Sequence, residues 1–444
     1  MFVNSFIHSQ RQGADMTLYI LAAIIISIVL GYTTKINIGL FAIVFSYLIG
    51  CFVVGMKASE VIVLWPIKIF FIIFAVTLFY NFALANGALE KLSNQLIYRC
   101  RNFPALLPLV IFFVATIISG LGAGYYTVLA FMAPMTLLLC KKTKMNLVVA
   151  ALAVNYGALA GANFMTSQSG VIFRGLMDTA GVANDTAFAY SSGIFAATFL
   201  LPVAVLGIYS LFNARHNKIA IEAVLPEPLD SKQKKSIMLI FIMMGIVLIV
   251  PILNLLLPQV EAIQFLNARI DIGFIAIFFA IVSLFLKLGD EKTVISLVPW
   301  STLIMICGVG MLISLGVKVG VIDELTEWLS TNVPIWMIPV LVFIISAIMS
   351  VFASTLGVVA PALFPIVPAL AIASGLNPLL LFICIIVGAQ SSSISPFSSG
   401  GSLILGSAPA DIDKNKLLNA LLFKAVPIGI GAGLIATLII QFVF

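Results

Sequence analysis

The sequence predicts an all-α, polytopic membrane protein made of two related halves, each with a re-entrant helical hairpin and a broken helix. Three observations lead to this fold class. Hydrophobic residues make up 62% of the 444-residue chain and charged residues 9%, with a mean hydropathy of +1.20, whereas soluble domains are about one quarter charged. Apolar runs able to cross about 30 Å of hydrocarbon recur from near residue 17 onwards. Finally, four long apolar regions are interrupted by polar, glycine-rich stretches.

The first half contains uninterrupted apolar spans and two longer regions with polar interruptions. The interrupted regions are 104–140, broken at SGLGAGYYT, and 145–182, broken at GANFMTSQSG. The uninterrupted spans are predicted at residues 17–32, 38–57, 63–85 and 189–212.

The second half repeats this order. Its interrupted regions are 335–375, broken at SVFASTLG, and 378–408, broken at QSSSISPFSSGGS. The uninterrupted spans are predicted at residues 236–257, 271–288, 294–316 and 417–443.

A weak internal similarity relates the two halves at a shift of 231 to 234 residues. GALEKL at Gly87 resembles GVIDEL at Gly320, and several prolines, glycines and polar residues keep their order across the whole length. The pairs at a shift of 231 are Ser119 and Ser350, Pro134 and Pro365, Asn146 and Asn377, and Gly157-Ala158 and Gly388-Ala389. The similarity indicates a duplication.

The distribution of Lys and Arg indicates how the halves are oriented. We assume that the two hairpins, 104–140 and 335–375, each enter and leave the membrane on one side, whereas the broken helices, 145–182 and 378–408, cross it. Each half then crosses five times, and the odd number inverts the second half. This topology places most loop Lys and Arg residues on one side, as expected for the cytoplasmic side. We therefore predict a short tail at 1–16, a first repeat at 17–212, a cytoplasmic linker at 213–235 and a second repeat at 236–444, with both termini outside.

Several features exclude other classes. Residues 1–16 lack the pattern of a cleaved signal peptide, although Met16 is an alternative start. The net charge of +6 is explained by loop asymmetry across the membrane, so no nucleic-acid partner is expected. No catalytic or Walker motif is found, so neither an enzyme nor a bound cofactor is predicted. The cysteines lack CxxC spacing and are expected to be small core residues: Cys51, Cys100, Cys140, Cys307 and Cys384.

The interrupted regions themselves suggest a site. Irregular backbone survives at membrane depth only where protein or a water-filled cavity covers it, and paired discontinuous helices in inverted repeats point to a site at mid-membrane. Free N–H groups at half-helix starts suit an anion, and free carbonyls suit a small hard cation. The alternative is that Ser and Gly only allow close helix packing.

Charged residues narrow the choice of ligand. No Asp or Glu lies in the middle of a span, and His8 and His216 lie outside the membrane segments, so a proton relay has no groups to use. Na⁺ is the first candidate for a coupling ion, and the substrate is expected to carry the negative charge. Arg174 is expected to pair with Asp178 one helical turn later, and the alternative is that Arg174 clamps the substrate. Lys68 and Lys424 are expected to extend toward the interface.

The segments GALAGANFMTSQSGVIFRGLMD (157–178) and AQSSSISPFSSGGSLILGSAPAD (389–411) resemble the ion transporter superfamily. Specifically, they are similar to the divalent anion/sodium symporter fold and its malonate or C4-dicarboxylate carrier branch. The resemblance implies a homodimeric symporter of the cell (inner) membrane that works as an elevator. It assigns the scaffold to 17–85 and 236–316 and the moving transport part to 104–212 and 335–444. The alternatives are an antiporter or exporter of another small oxyanion, or an uncoupled anion channel.

The resemblance also implies site residues. Relatives carry Ser-Asn-Thr at each hairpin tip, whereas this chain has Ala123-Gly124-Tyr125 and Ser354-Thr355-Leu356, so the coupling ion and its stoichiometry stay open. The implied substrate-binding residues are Asn163, Thr166, Ser167, Ser354, Thr355, Ser395, Pro396, Ser398 and Ser399. The implied cation-binding residues are Ser119, Ala123, Gly124, Ala162, Ser350, Ser354 and Ile394.

Overall fold

The protein is described by a computed structural model that covers residues 2–99, 106–143, 145–213, 227–257, 259–406, 408 and 412–443. Cys100, His216 and positions 214–226 of the predicted linker lie outside these residues. All regular elements in the described part of the chain are helical.

The described part of the first half contains ten α-helices and two π-helical turns, at Ile49–Val53 and Ser119–Ala123. The α-helices are α1 (Phe2–Thr34), α2 (Ile38–Leu48), α3 (Ala58–Ile62), α4 (Ile67–Ala85), α5 (Ala88–Arg99), α6 (Leu107–Ile118), α7 (Tyr125–Thr143), α8 (Leu147–Ala162), α9 (Gln168–Thr179) and α10 (Asn184–Asn213).

The described part of the second half has thirteen α-helices. They are α11 (Ser231–Leu256), α12 (Glu261–Asn267), α13 (Ile272–Phe285), α14 (Glu291–Ser296), α15 (Trp300–Lys318), α16 (Val321–Asn332), α17 (Ile338–Phe352), α18 (Ala360–Leu363), α19 (Val367–Ser374), α20 (Pro378–Ser391), α21 (Ser399–Gly406), α22 (Lys414–Ala420) and α23 (Val426–Gln441). Shorter turns are 3₁₀-helical at Ile335–Met337 and Phe364–Ile366 and π-helical at Thr355–Val359 and Leu421–Ala425.

The predicted all-α polytopic fold is confirmed. Eight of the described helical segments are long and apolar enough to cross a membrane, and the pair α12 and α13, bent by 73°, would make a ninth. The four predicted interruptions are also present. Helix α6 ends at Ile118, α8 at Ala162, α17 at Phe352 and α20 at Ser391, and in each case a separate helical segment follows.

Three helical regions differ from the predictions. Helix α1 begins at Phe2, so residues 2–16 of the predicted tail are helical, because this stretch contains no Pro and helix propagates readily from an established span. Helices α5 and α16 are not predicted. Both are amphipathic segments of 12 residues, too short and too polar to be recognised as spans.

Close backbone contacts join the early spans of the two halves, where α2 packs against α15 and α4 packs against α13. A Cβ atom on Gly39 would lie 2.3 Å from the carbonyl oxygen of Ile304, and one on Gly308 would lie 2.2 Å from the carbonyl oxygen of Gly39. Such distances are impossible for a real side chain, so glycine is required for this helix crossing.

The interrupted regions of the two halves make matching contacts. Helix α6 packs against α8, and α17 packs against α20. A Cβ on Gly157 would lie 2.4 Å from the carbonyl oxygen of Phe112, and a Cβ on Gly388 would lie 2.4 Å from that of Phe343. Gly388 and Phe343 each lie 231 positions after their counterparts in the first contact, Gly157 and Phe112.

The helix starts show the same match. Asn146 and Asn377, also 231 positions apart, cap α8 and α20 by accepting a hydrogen bond from the backbone N–H two residues later, at 2.9 Å in both cases. These matched contacts and caps are consistent with a duplication, and the inverted orientation of the halves stays a prediction.

The predicted ion pair between Arg174 and Asp178 is wrong. Asp178 on α9 pairs instead with Lys68 on α4, whose side chain is 63% exposed. Arg174 donates to Oδ1 of Asn184 at 3.3 Å, and its guanidinium lies 5.3 Å from the ring centroid of Phe188. The spacing of four residues allows the intrahelical pair, but the neighbouring helix offers Asp178 a lysine that reaches it directly.

Candidate functional site

A small cavity, here called the central chamber, lies where the second hairpin and the two broken helices meet the start of α7, and most of the residues that line it are polar. Its free volume of about 20 Å³ is room for about one water molecule. All of its lining side chains are uncharged. The lining residues are Tyr125, Tyr126, Leu159, Ser169, Ser350, Ala353, Ser354, Thr355, Leu356, Gln390, Ser393, Ser398, Ser399 and Gly400.

The tip of the first hairpin depends on two glycines with left-handed backbone. Gly122 has φ 97° and Gly124 has φ 74°, a region that strongly favours glycine. A Cβ on Gly122 would lie 2.1 Å from the ring of Tyr80 on α4, and one on Gly124 would lie 2.4 Å from Oε1 of Gln168. The tip is therefore pressed between α4 and the start of α9, and the chain leaves it into α7 with Tyr125 and Tyr126 lining the chamber.

Tyr125 is held firmly in the chamber wall. Its hydroxyl donates to Oδ1 of Asn155 at 2.7 Å, and Nδ2 of Asn155 donates to Oγ of Ser393 at 3.2 Å. The phenol also touches Gly400, where any Cβ would overlap the hydroxyl oxygen. Only 5% of Tyr125 is exposed, so its ring cannot swing away without breaking this chain of hydrogen bonds.

Tyr126 reaches across the chamber to the second hairpin. Its hydroxyl lies 3.2 Å from Oγ of Ser354, and Ser354 in turn accepts the backbone N–H of Gly357 at 3.2 Å. Next to it, the hydroxyls of Ser350 and Thr355 are 3.2 Å apart. The two hairpins are thus joined by a contact between hydroxyl groups at their tips.

A reciprocal amide pair connects the two broken helices. Nδ2 of Asn163 donates to Oε1 of Gln390 at 3.1 Å, and Nε2 of Gln390 donates to Oδ1 of Asn163 at 3.0 Å. Nδ2 of Asn163 also donates to Oγ1 of Thr198 on α10 at 3.0 Å. Both amides are almost fully buried, so the pair satisfies groups that would otherwise be costly to bury.

Several helices begin at the chamber. Tyr125 starts α7, Gln168 starts α9 and Ser399 starts α21, while the helical run from Thr355 follows the cap residue Ser354. The first N–H groups of a helix lack partners within it, and the start of a helix carries a partial positive charge. Since the lining side chains are all neutral, the helix starts give the chamber an environment suited to an anion.

Four of the substrate-binding residues predicted by resemblance line the chamber: Ser354, Thr355, Ser398 and Ser399. The other five, which are buried beside it, are Asn163, Thr166, Ser167, Ser395 and Pro396. Ser167 donates to the carbonyl oxygen of Ser119 at 2.7 Å, and Ser395 accepts the N–H of Phe397 at 3.2 Å. The hydroxyl of Thr166 finds no partner among the described residues, while its carbonyl oxygen accepts a hydrogen bond from Tyr80 at 3.0 Å.

The residues predicted to bind a cation divide in the same way. Ser350 and Ser354 line the chamber, whereas Ser119, Ala123, Gly124, Ala162 and Ile394 do not. The Ser119 hydroxyl donates to the carbonyl oxygen of Ala158 at 2.7 Å. The oxygen atoms of these residues, whether or not they line the chamber, belong to neutral hydroxyl and carbonyl groups, which suit a small hard cation. Within the described residues, no group of three or more His, Cys, Asp or Glu side chains could hold a metal ion.

Some lining residues are not assigned by the resemblance. Tyr125, Tyr126, Ser169, Gln390 and Ser393 all lie within or next to the sequence interruptions. Their polar character at the breaks already marks them as candidates from the sequence alone. Which of these side chains faces the chamber depends on the rotation of each short helix, which the spacing of residues leaves open.

Comparison with known proteins adds a family match to this geometry. Residues 15–162 match the family described as the N-terminus of the dicarboxylate carrier protein MatC. The match covers about a third of the chain and ends in the first broken helix. No curated protein matches the sequence significantly.

Two solved structures share the fold. The YdaH transporter of Alcanivorax borkumensis is 16% identical, with a TM-score of 0.58 over 87% of each chain. MtrF of Neisseria gonorrhoeae is 14% identical, with a TM-score of 0.53 over 85% of this chain and 83% of its own. At this level of identity the similarity extends to the architecture, and function has to be argued from the site itself.

Proposed function

We propose that this protein is a secondary active carrier of a small dicarboxylate, such as malonate or a C4 acid. The observation that carries the proposal is the neutral, hydroxyl-lined chamber at which several helices begin. The family match of residues 15–162, whose description names a dicarboxylate carrier, supports the choice of substrate.

The chemistry of the chamber favours an anionic substrate over a cationic one. A cationic substrate would find no carboxylate in the lining, and burying an unpaired charge is strongly unfavourable. A carboxylate would instead accept hydrogen bonds from hydroxyls and from free N–H groups at helix starts. The substrate therefore supplies the negative charge that the protein lacks there.

We further propose elevator-type transport by two inverted repeats, with a scaffold at 17–85 and 236–316 and a transport part at 104–212 and 335–444. The contacts repeated at a shift of 231 residues support the duplication. The polar contacts between the two parts include the Tyr80 hydroxyl on the carbonyl oxygen of Thr166 and the pair Lys68 and Asp178. A sliding motion would have to break both. The same proposal includes a homodimer in the inner membrane, with both termini outside.

Sodium symport is the proposed coupling. The candidate donors at both hairpin tips are hydroxyl and carbonyl oxygens, and the described membrane helices offer no histidine or carboxylate at the chamber for a proton relay. The free volume of about 20 Å³ is too small for a dicarboxylate, so the hairpin tips have to separate for the substrate to enter.

The test is uptake of radiolabelled malonate and succinate into proteoliposomes under an inward Na⁺ gradient, a proton gradient or neither. We expect accumulation above the equilibrium level only with the Na⁺ gradient. If a proton gradient alone drives accumulation, the carrier function stands and the coupling ion is H⁺ instead of Na⁺. If no carboxylate accumulates under any gradient, the proposed function is wrong.

An exporter or antiporter is the second candidate, because MtrF, which shares the fold, is described as one of a class of antimetabolite efflux pumps. Vesicles preloaded with unlabelled acid discriminate between the two. An obligatory antiporter takes up label only when the inside is preloaded, whereas a symporter does so with empty vesicles and a cation gradient. An uncoupled channel would instead give currents in a planar bilayer that are larger than the turnover of any alternating-access carrier can produce.

A further inference from the structure

We propose that Tyr126 is the specificity-determining residue of the central chamber and that it restricts the substrate to short dicarboxylates. This inference rests on the proposed function and deepens it. Tyr126 acts in two ways, through the space that its ring occupies and through the proton that its hydroxyl can donate.

The ring of Tyr126 forms a wall of the chamber that is backed by Tyr125. Its centroid lies 4.9 Å from that of Tyr125, so the two rings are in direct contact. Tyr125 is itself fixed by its hydrogen bond to Asn155 and by its contact with Gly400. A longer substrate therefore cannot gain room by pushing Tyr126 towards Tyr125. Once the hairpin tips have separated to admit the substrate, the position of this ring limits the length that fits between it and the second hairpin.

The hydroxyl of Tyr126 is also one of the few in the chamber with a proton to spare. Other lining serines donate to backbone carbonyls, as Ser393 does to Gln390 at 2.7 Å and Ser398 to Ser395 at 2.8 Å. In the Tyr126 and Ser354 pair only one hydroxyl can donate to the other, which leaves the second proton free. A carboxylate placed between them could accept from both.

Because Tyr126 belongs to the first hairpin and Ser354 to the second, such a carboxylate would bridge the two tips. The second carboxylate must then lie within the rest of the chamber, among Ser169, Ser399 and the start of α9. Each additional methylene would have to be accommodated against the fixed tyrosine wall. Steric differences of one methylene are typically worth on the order of ten to two-hundred-fold in selectivity.

The experiment measures initial uptake of malonate, succinate, glutarate and adipate by the full-length protein in proteoliposomes. The variants are Tyr126→Phe, which keeps the ring, and Tyr126→Ala, which removes it. For wild type we expect uptake to fall by about tenfold for each methylene beyond the best acid. Tyr126→Ala should raise the ratio of uptake of the longest acid to uptake of the best acid by at least about tenfold. Tyr126→Phe should keep this ratio while lowering the uptake of every acid by about three- to tenfold.

Tyr47→Ala is the control, because Tyr47 lies on α2 and is 45% exposed, and it should leave the length profile unchanged. Tyr126→Leu is a further variant in case the alanine variant does not fold, and it should also admit longer acids. A flat wild-type profile, or an equal loss of all acids in Tyr126→Ala and Tyr126→Leu, would overturn the inference while the carrier function stands. If wild type moves no dicarboxylate, the proposed function itself fails.

Discussion

The two hairpins, each with the broken helix that packs against it, share their packing but differ in what they present to the chamber. Gly157 and Gly388 make the same close contact at equivalent positions, and Asn146 and Asn377 make the same cap. At the tips the similarity ends, since the first hairpin contributes tyrosine rings where the second contributes the hydroxyls of Ser350, Ser354 and Thr355. Contacts that hold the helices together are repeated, whereas residues that face the cavity are not.

The largest effect is expected from breaking a repeated packing contact. Gly388→Val would place a branched side chain where even a single added Cβ would lie 2.4 Å from the carbonyl oxygen of Phe343. Because backbone cannot shift as a flexible side chain can, we expect a loss of about 3 kcal/mol or more in stability. Gly157→Val should do the same in the first half. Expression and monodispersity by size-exclusion chromatography, together with the thermal midpoint in detergent, measure the loss.

Gly207→Val on α10 is the matched control, because no atom lies within 4 Å of the position that a Cβ on Gly207 would take. It should fold normally. If Gly388→Val is as stable as this control, the close contact between α17 and α20 is incorrect, and the equivalence of the two halves loses its best support.

An intermediate effect is expected at the amide pair that links the two halves. Asn163→Leu leaves the Gln390 amide without its bonds to Asn163, and Gln390→Leu leaves the Asn163 amide with only its bond to Thr198. Each loss costs about 1–3 kcal/mol. In the double variant both amides are gone, so its loss should be smaller than the sum of the single losses. A double-mutant cycle on thermal stability provides the measurement. Strictly additive losses would show that the two side chains act independently.

A smaller and asymmetric effect is expected at Ser119 and Ser350, which are equivalent by sequence. Ser119 donates to the carbonyl oxygen of Ala158 away from the chamber, so Ser119→Ala should lower stability by about 1 kcal/mol and leave substrate affinity unchanged. Ser350 lines the chamber and its hydroxyl pairs with that of Thr355, so Ser350→Ala should weaken substrate uptake in addition to a similar loss of stability. Thermal midpoints measure the loss in both variants, and the concentration dependence of uptake separates the two. Identical behaviour of both variants would contradict the asymmetry of the tips.

The smallest effect is expected at the pair Lys68 and Asp178, which lies outside both hairpins. Exposed ion pairs are screened by solvent and contribute about 0–1 kcal/mol, and the side chain of Lys68 is 63% exposed. Lys68→Met should therefore change thermal stability only slightly, and added salt should reduce the difference further. Lys424→Met is the control. A loss well above that range would contradict the description of this pair as a contact screened by solvent.

The interruptions of the helices could be predicted because their causes are local. SGLGAGYYT and QSSSISPFSSGGS contain residues that disfavour continued helix, and the breaks lie there. Helices α5 and α16 could not be predicted as membrane spans, because their mixed polarity is typical of a solvated or interfacial helix. The partner of Asp178 could not be predicted either, since an intrahelical arginine and a lysine on another helix were both available to it.

The sequence by itself determined that the protein is embedded in lipid and where the backbone leaves helical geometry in the interrupted regions. These properties depend on composition and on short-range steric preferences, which need no knowledge of neighbours. Only the tertiary structure decided that Asn163 turns to Gln390 while Tyr126 turns to Ser354. The reason is that a polar side chain beside a helix break takes whichever donor or acceptor lies closest, and that partner comes from a segment more than 200 residues away.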